Sequence, residues 1–332
     1  MYMVGAGLSC ALGLPNTASL VSAVLDAYAR DAAWRHSGPL ESMADAFDFF
    51  YPDGANLDFR PNAVDFFSTL KSYIDTAEGL PGGLKDAPEL YRSLKFAIAR
   101  ILIEKLRAVD ARLQVGAHPY LDKVVQAGNI VVTSNWDVAI ERYAWHRGVP
   151  VRFTGYDAGV LVVLKLHGSV DWTLCLDRLL KPDADYAMLN ERLTQGRLYT
   201  VPLPTDAAER QSSVFRIRVL NNWNEAWRFL SSRTNEPHMV TMARGKSGDI
   251  GPLERVWRDA YAAVSRAKTL EIVGYSMPDD DIEIRTLLRA GVRRGTPKPT
   301  ILVRNPAPDV HDRVRRFLSH SVRSDYQPVN SL

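Results

Sequence analysis

The chain has 332 residues, of which 46% are apolar and 24% are charged, a composition typical of a globular protein with a sizeable core. Its net charge of +3 is small, and no Lys/Arg cluster lies on a recognisable nucleic-acid-binding motif, so no direct nucleic-acid site is expected. The two cysteines, Cys10 and Cys175, are too few for a disulfide framework or a four-cysteine zinc ribbon.

The sequence also lacks the signals of membrane insertion or secretion. No apolar run is long enough to span a bilayer. The first 29 residues contain no Lys or Arg, and glycines and Pro15 interrupt their apolar pattern, unlike a secretory leader. We therefore expect a cytoplasmic protein with no membrane partner. Two free thiols fit that reducing compartment, and a Cys10–Cys175 bridge is an alternative that nothing in the sequence requires.

The chain begins with a short apolar strand, Met1–Val4, which ends in the glycine turn Gly5-Ala-Gly-Leu-Ser9. A helix is predicted from about residue 16 to residue 29. Strand, glycine turn and helix form a geometry in which backbone N–H groups bind a phosphate. A tight structural turn explains these residues equally well, because the third glycine of a dinucleotide fingerprint and its ribose-binding acid are missing. The predicted strand is unusually short: either this edge of the sheet is shortened in this protein, or the true start of the chain lies upstream of Met1.

Residues 31–128 read as a mainly helical insertion that forms a lid or a small subdomain, with apolar residues at helical spacing in 90–102. Strand 130–133 and helix 137–147 then resume the β-α alternation. Strand 160–166 follows, and residues 173–251 read as an irregular second insertion or an extended loop.

The C-terminal part alternates regularly between helices and strands. The predicted elements are helix 253–267, strand 269–273, helix 280–294, strand 300–304 and a terminal helix over about 309–318. Such alternation predicts one α/β domain over 1–332: a Rossmann-like, doubly wound parallel sheet with the helical insertion.

Polar residues follow two of these strands, and ligands of open α/β sheets bind at such strand ends. His167 follows strand 160–166, and a neutral imidazole near pH 7 suits a general base. A histidine satisfied by backbone groups at a strand end is an equally good explanation. Asn135 and Asp137 follow strand 130–133. Asp137 is expected to cap the next helix, whereas the Asn135 amide can fix a hydroxyl group or a water molecule.

A later strand ends in Gly274-Tyr-Ser-Met-Pro278 and then in three consecutive carboxylates, Asp279, Asp280 and Asp281. Three carboxylates can form a metal site, but capping of helix 280–294 explains them better. Asn305 follows the last predicted strand and faces the same edge of the sheet.

Taken in chain order, these motifs resemble the sirtuin superfamily, and more closely its bacterial sirtuin-like branch of defence-associated NADases. The resemblance spans nearly the whole chain and rests on Gly5–Ser9 with Gly13-Leu-Pro15, Thr133–Asp137, Lys165–Ser169, Gly274–Pro278 and Asn305. The four zinc-binding cysteines of the deacylases are missing, and so is their Asp-Phe-Arg after Gly-x-Pro. We therefore expect neither zinc nor a groove for an acyl-lysine peptide.

The resemblance implies that NAD+ binds as a substrate across the switch point of the sheet. Asn135 would position the nicotinamide ribose or the attacking water, and His167 would act as the base. The glycine turn would hold the pyrophosphate, Asp137 would approach the carboxamide, and the 274–276 turn with Asn305 would contact the adenosine half. The implied binding residues are Gly5, Ala6, Gly7, Ser9, Pro15, Thr133, Asp137, Gly168, Ser169, Gly274, Ser276 and Asn305.

The activity implied is an NAD+ glycohydrolase that releases nicotinamide and ADP-ribose in bacterial anti-phage defence. Two alternatives stay open: an NAD-dependent ADP-ribosyl- or acyl-transfer enzyme, and a module that senses NAD or ADP-ribose without turnover. Because unregulated activity would deplete a cell of NAD+, we expect gating by homo-oligomerisation or by a regulatory partner protein.

Overall fold

The computed structural model describes residues 1–30, 63–75, 87–116, 118–174, 200–202, 214–217, 236–241, 243, 250, 253–318 and 322–326. The strands are β1 (Tyr2–Val4), β2 (Ile130–Thr133), β3 (Val151–Arg152), β4 (Leu161–Lys165), β5 (Gly168–Leu174), β6 (Thr200–Pro202), β7 (Val214–Ile217), β8 (Glu236–Met239), β9 (Thr269–Val273), β10 (Thr300–Arg304) and β11 (Val322–Asp325). The helices are α1 (Ala6–Ala11), α2 (Thr17–Arg30), α3 (Ala63–Asp75), α4 (Ala87–Val115), α5 (Pro119–Val124), α6 (Ala139–His146), α7 (Glu254–Arg266), α8 (Ile282–Arg294) and α9 (Pro308–Leu318).

A seven-stranded sheet of order β11-β10-β9-β1-β2-β4-β3 forms the centre of the protein. Every neighbouring pair in it is parallel. On one side of β1 the chain adds β2, then the edge strand β3, and then β4 between them; it later returns to β9 on the other side of β1. The strand order therefore reverses between β1 and β9, as in doubly wound nucleotide-binding folds. The predicted Rossmann-like α/β class is confirmed.

The predicted bounds of two helices are wrong at the N-terminal end. Helix α6 begins at Ala139 rather than at residue 137, and α8 begins at Ile282 rather than at residue 280. In both places an aspartate was expected to cap the helix. Asp137 lies one residue before the N-cap and bonds both the N–H of Ala139 and the distant Ser9, whereas the Asp281 side chain makes no capping hydrogen bond. A further helix, α1, starts directly after Gly5, where the sequence predicted only a turn.

The described parts of 31–128 are mainly helical, as predicted, whereas residues 31–62, 76–86 and 117 lie outside the described ranges. Helices α2, α3 and α4 pack together around buried side chains that include Phe66, Leu94 and Ile98. No helix in the described part of the chain is both long and apolar enough to cross a membrane.

A second, four-stranded sheet of order β6-β7-β5-β8 lies within and just before the stretch that was predicted to be irregular. Its pairs are antiparallel. Cys175 lies outside the described residues. Cys10 is a free, half-buried thiol whose pKa is raised by burial and by the nearby charge of Asp137.

A buried carboxylate, Glu271 on β9, joins three parts of the fold. Its Oε1 accepts hydrogen bonds from the Tyr120 hydroxyl, at 2.9 Å, and from the Arg304 guanidinium. Its Oε2 accepts one from Lys123 Nζ, also at 2.9 Å. Burial alone would raise the pKa of Glu271, but the bonds from Lys123, Arg304 and Tyr120 outweigh burial and lower it below 4.5.

We expect Glu271→Gln to weaken the dependence of stability on acid pH. A lowered folded-state pKa means that the carboxylate stabilises the fold above its unfolded pKa. That contribution is lost as the pH falls below 4.5 and through the lowered folded value. Melting temperatures measured across this range should therefore fall less steeply for the variant than for the wild type. Glu104→Gln, at a half-exposed surface pair, is the matched control, and equal slopes for all three proteins would contradict the prediction.

Candidate functional site

A cavity of about 200 Å³ lies at the carboxyl ends of β1, β2 and β9 and beside His167, at the point where the strand order reverses. Ligands of doubly wound sheets bind at this position. The cavity brings together eight of the predicted site residues: Ala6, Ser9, Pro15, Asn135, Asp137, His167, Gly274 and Ser276.

A hydrogen-bonded network fixes the side chain of Asn135 at the cavity wall. Asn135 Nδ2 donates to the carbonyl of Gly5 at 3.1 Å and to Ser9 Oγ at 2.9 Å. Because a backbone carbonyl can only accept, the amide group must face Gly5 with its nitrogen. This orientation leaves Asn135 Oδ1 as the polar atom that the side chain offers to a ligand hydroxyl group or water.

Asp137 is held by the fold on several sides. Its Oδ2 accepts a hydrogen bond from Ser9 Oγ at 2.7 Å, and its Oδ1 accepts one from the backbone N–H of Ala139 at 3.0 Å. Val138, not Asp137, is the N-cap residue of α6. The buried Lys165 ammonium donates to the main-chain carbonyl of Asp137 and, at 2.9 Å, to Glu141 Oε1. Asp137 therefore supports the start of α6 from outside the helix and presents its carboxylate beside Ser9.

His167 lies on the cavity wall, only 2% exposed, and faces an acidic residue that the sequence assigned to helix capping. Its Nε2 is 3.7 Å from Asp281 Oδ1. Asp281 Oδ2 accepts a hydrogen bond from the hydroxyl of Tyr275 at 3.1 Å. Asp281 is the N-cap residue of α8 but makes no side-chain capping hydrogen bond, so the capping prediction is wrong for this side chain.

The sequence reasoning missed several residues of the cavity lining. These are Thr17, Ser134, Tyr275, Asp280 and Asp281, with apolar positions contributed by Leu20, Val64 and Leu102. Tyr275, Asp280 and Asp281 follow β9, and their place after a strand was a usable signal. The aspartates were interpreted as helix caps, so this signal was not used for them.

The glycines of the first turn have a packing role. A Cβ at Gly5 or Gly7 would lie 2.5 Å or 2.7 Å from the backbone of Tyr275 or Gly274, respectively. Their N–H groups donate to the carbonyls of Val273 and Gly274, each at 2.9 Å. Gly274 itself has a φ of +58°. The glycines thus let the turns after β1 and β9 touch, and their N–H groups are used within the fold rather than offered to a phosphate.

Four other predicted ligand residues, like Gly5 and Gly7, do not line the cavity and instead make contacts within the fold. A Cβ at Gly168 would lie 2.0 Å from the carbonyl of His238, so only glycine fits there. Ser169 Oγ donates to the carbonyl of Trp136 at 3.2 Å. Thr133 Oγ1 accepts from the N–H of Asn135, and Asn305 Oδ1 accepts from the N–H of Ala307, both at 3.0 Å.

The cavity is acidic. Its described lining contains the carboxylates of Asp137, Asp280 and Asp281 together with His167, and no Lys or Arg. Such a lining stabilises positive charge and disfavours a phosphate group. No group of three or more His, Cys, Asp or Glu side chains suited to a metal ion occurs among the described residues, which leaves the triple-aspartate metal site without support.

Neither a protein-family model nor a curated protein matches this chain. The resemblance to sirtuins therefore rests on the motifs quoted above and stays a hypothesis.

Proposed function

We propose that the protein is an NAD+ glycohydrolase that releases nicotinamide and ADP-ribose. The observation that carries this proposal is that His167 and Asn135 meet in one acidic cavity at the switch point of the sheet. Support from the fold alone would be weak, because the same fold hosts many activities. The charge and the hydrogen-bonding geometry of the cavity make the proposal specific.

The reaction breaks the bond between the nicotinamide nitrogen and C1′ of the ribose. The bonding electrons leave with nicotinamide, which becomes neutral, and positive charge develops on the ribose. The carboxylates of Asp137 and Asp280 would stabilise that charge. Because the lining is acidic, the cavity would accept the cationic nicotinamide ribose half, with the pyrophosphate directed away from it.

A water molecule then forms the new bond at C1′. Asn135 Oδ1 would hold this water or a ribose hydroxyl group, since the amide nitrogen is already bound to Gly5 and Ser9. His167 would take the proton that the water loses, which completes hydrolysis without a metal ion.

The biological setting is proposed on the motif resemblance alone. It would be anti-phage defence in the bacterial cytoplasm, with the activity held back by homo-oligomerisation or by a regulatory partner protein. A purified monomer that already turns over at its full rate would refute this gating.

Incubation of the purified protein with NAD+, followed by chromatography of the products, tests the activity directly. We expect nicotinamide and ADP-ribose in equal amounts. With labelled NAD+ and a candidate acceptor protein, label on the acceptor instead of free ADP-ribose would indicate a transferase. Calorimetric binding without any product would indicate a sensing module, and either result would overturn the proposal.

A further inference from the structure

The carboxylate of Asp281 is buried, is not used for capping and points into the cavity at His167. We infer that Asp281 is a positioning residue that orients His167 and stabilises its protonated form, with Tyr275 holding Asp281 in place. This inference rests on the proposed function, because it gives His167 the role of a base. It adds a residue to the site that the motif resemblance does not assign.

Each carboxylate oxygen of Asp281 has its own partner. One oxygen of Asp281 lies 3.7 Å from His167 Nε2, and the other accepts the Tyr275 hydroxyl at 3.1 Å. Burial and the charge of Asp281 raise the pKa of Tyr275 well above its ordinary value, so the phenol stays a donor. Because both His167 and Asp281 are buried, their interaction is poorly screened by water. At 3.7 Å the contact is an ion pair rather than a hydrogen bond, so the charge of the carboxylate favours this ring orientation and stabilises the imidazolium that forms when the base takes a proton.

The other charged groups near His167 have different partners or positions. Asp137, after β2, accepts hydrogen bonds from Ser9 and from the backbone of α6. Lys165, at the end of β4, directs its ammonium to Glu141 and to the Asp137 carbonyl. Asp280 lines the same cavity, but only Asp281 is within 4 Å of the imidazole as an ion pair among the described residues.

Two further groups lie close by. On β8, burial and the charge of Lys95 lower the pKa of His238 to about 3, so this second histidine is neutral. Arg285 of α8 pairs with the exposed Asp279 at 2.6 Å and not with Asp281. Among the residues that the structure describes, Asp281 is therefore the one whose charge acts most directly on a proton bound to His167.

Asp281→Asn keeps the shape of the side chain and removes its charge. We expect kcat for nicotinamide release to fall by about 10- to 100-fold with KM changed less than about threefold. The acid limb of the pH–rate profile should move to lower pH, because the imidazolium loses its stabilising carboxylate. Tyr275→Phe should give a smaller fall in the same direction. Asp279→Asn, the same change in the same loop but 91% exposed, should match the wild type.

A second measurement does not depend on turnover. Histidine NMR signals, with that of His167 identified from the His167→Gln variant, should show its titration midpoint lowered by about one pH unit or more in Asp281→Asn. An unchanged midpoint would overturn the inference even if NAD+ is hydrolysed. A lowered midpoint in a protein that releases no nicotinamide would overturn the proposed function and keep the Asp281–His167 interaction. A uniform loss of kcat with an unmoved pH profile would show a merely structural role for Asp281.

Discussion

Replacing His167 with alanine is expected to lower the rate of nicotinamide release from NAD+ by about 10²–10⁴-fold, the usual contribution of a general base. The remaining rate would come from binding and from the carboxylates of the cavity. The free energy of unfolding should change only slightly, because the backbone at this position is held by a hydrogen bond that does not involve the imidazole. The carbonyl of His167 accepts the N–H of Val240 at 2.9 Å, and that bond survives the substitution.

His118→Ala is the matched control, because His118 precedes α5 and does not line the cavity. It should release nicotinamide at the wild-type rate. Nicotinamide release and melting temperature should be measured on the same preparations of each variant. Full activity in His167→Ala would exclude this residue as the base and, with it, the mechanism proposed here.

Asn135→Ala is expected to lose activity as well, but with a second effect that the sequence did not predict. The amide donates to Gly5 and Ser9, so its removal also breaks the hydrogen bonds that join the start of α1 to the segment after β2. Loss of these bonds should reduce the free energy of unfolding by about 1–3 kcal/mol. A loss of rate in Asn135→Ala is therefore attributed to catalysis only where thermal unfolding shows that the fold persists at the assay temperature.

Lys165→Met is expected to reduce the free energy of unfolding by about 3–5 kcal/mol, as is usual when one partner of a buried ion pair is removed. Lys165 and Glu141 are only 1% and 3% exposed at their side chains, and their charged atoms are 2.9 Å apart. Without the ammonium, the Glu141 carboxylate stays buried and loses its cationic partner. The carbonyl of Asp137 loses a donor at the same time.

Urea unfolding of Lys165→Met, Glu141→Gln and the double variant measures this coupling. Glu141→Gln should recover part of the stability that Lys165→Met loses, because the double variant no longer buries a carboxylate that has lost the Lys165 ammonium. Arg258→Met, at an exposed pair with Glu254, serves as the control and should leave the unfolding midpoint unchanged. Additive losses in the double variant would contradict the assigned role of this pair.

The strands of the parallel sheet could be predicted because they are continuous apolar runs. Residues 130–133, 269–273 and 300–304 are strands with the predicted bounds. The second sheet could not be predicted in this way. In β5, Ser169 and Asp171 are as buried as Val170, so polar residues there do not mark an exposed face. The strands that pair in this sheet are separated by long and variable stretches of sequence, so no local sequence pattern indicates their pairing.

By itself the sequence determined the α/β class and the residues that stand at the strand ends, because apolar periodicity and residue order are local properties of a chain. Only the tertiary structure decided what those residues contact. Asp137 and Asp281 have the local context of helix caps, yet one meets Ser9, 128 residues away, and the other meets His167. The glycines likewise look like a phosphate turn, yet they let two backbones touch. The physical reason is that a carboxylate pairs with whichever donors lie near it in space. At the switch point of the sheet, several strand ends meet, so these donors come from residues that are far apart in the sequence.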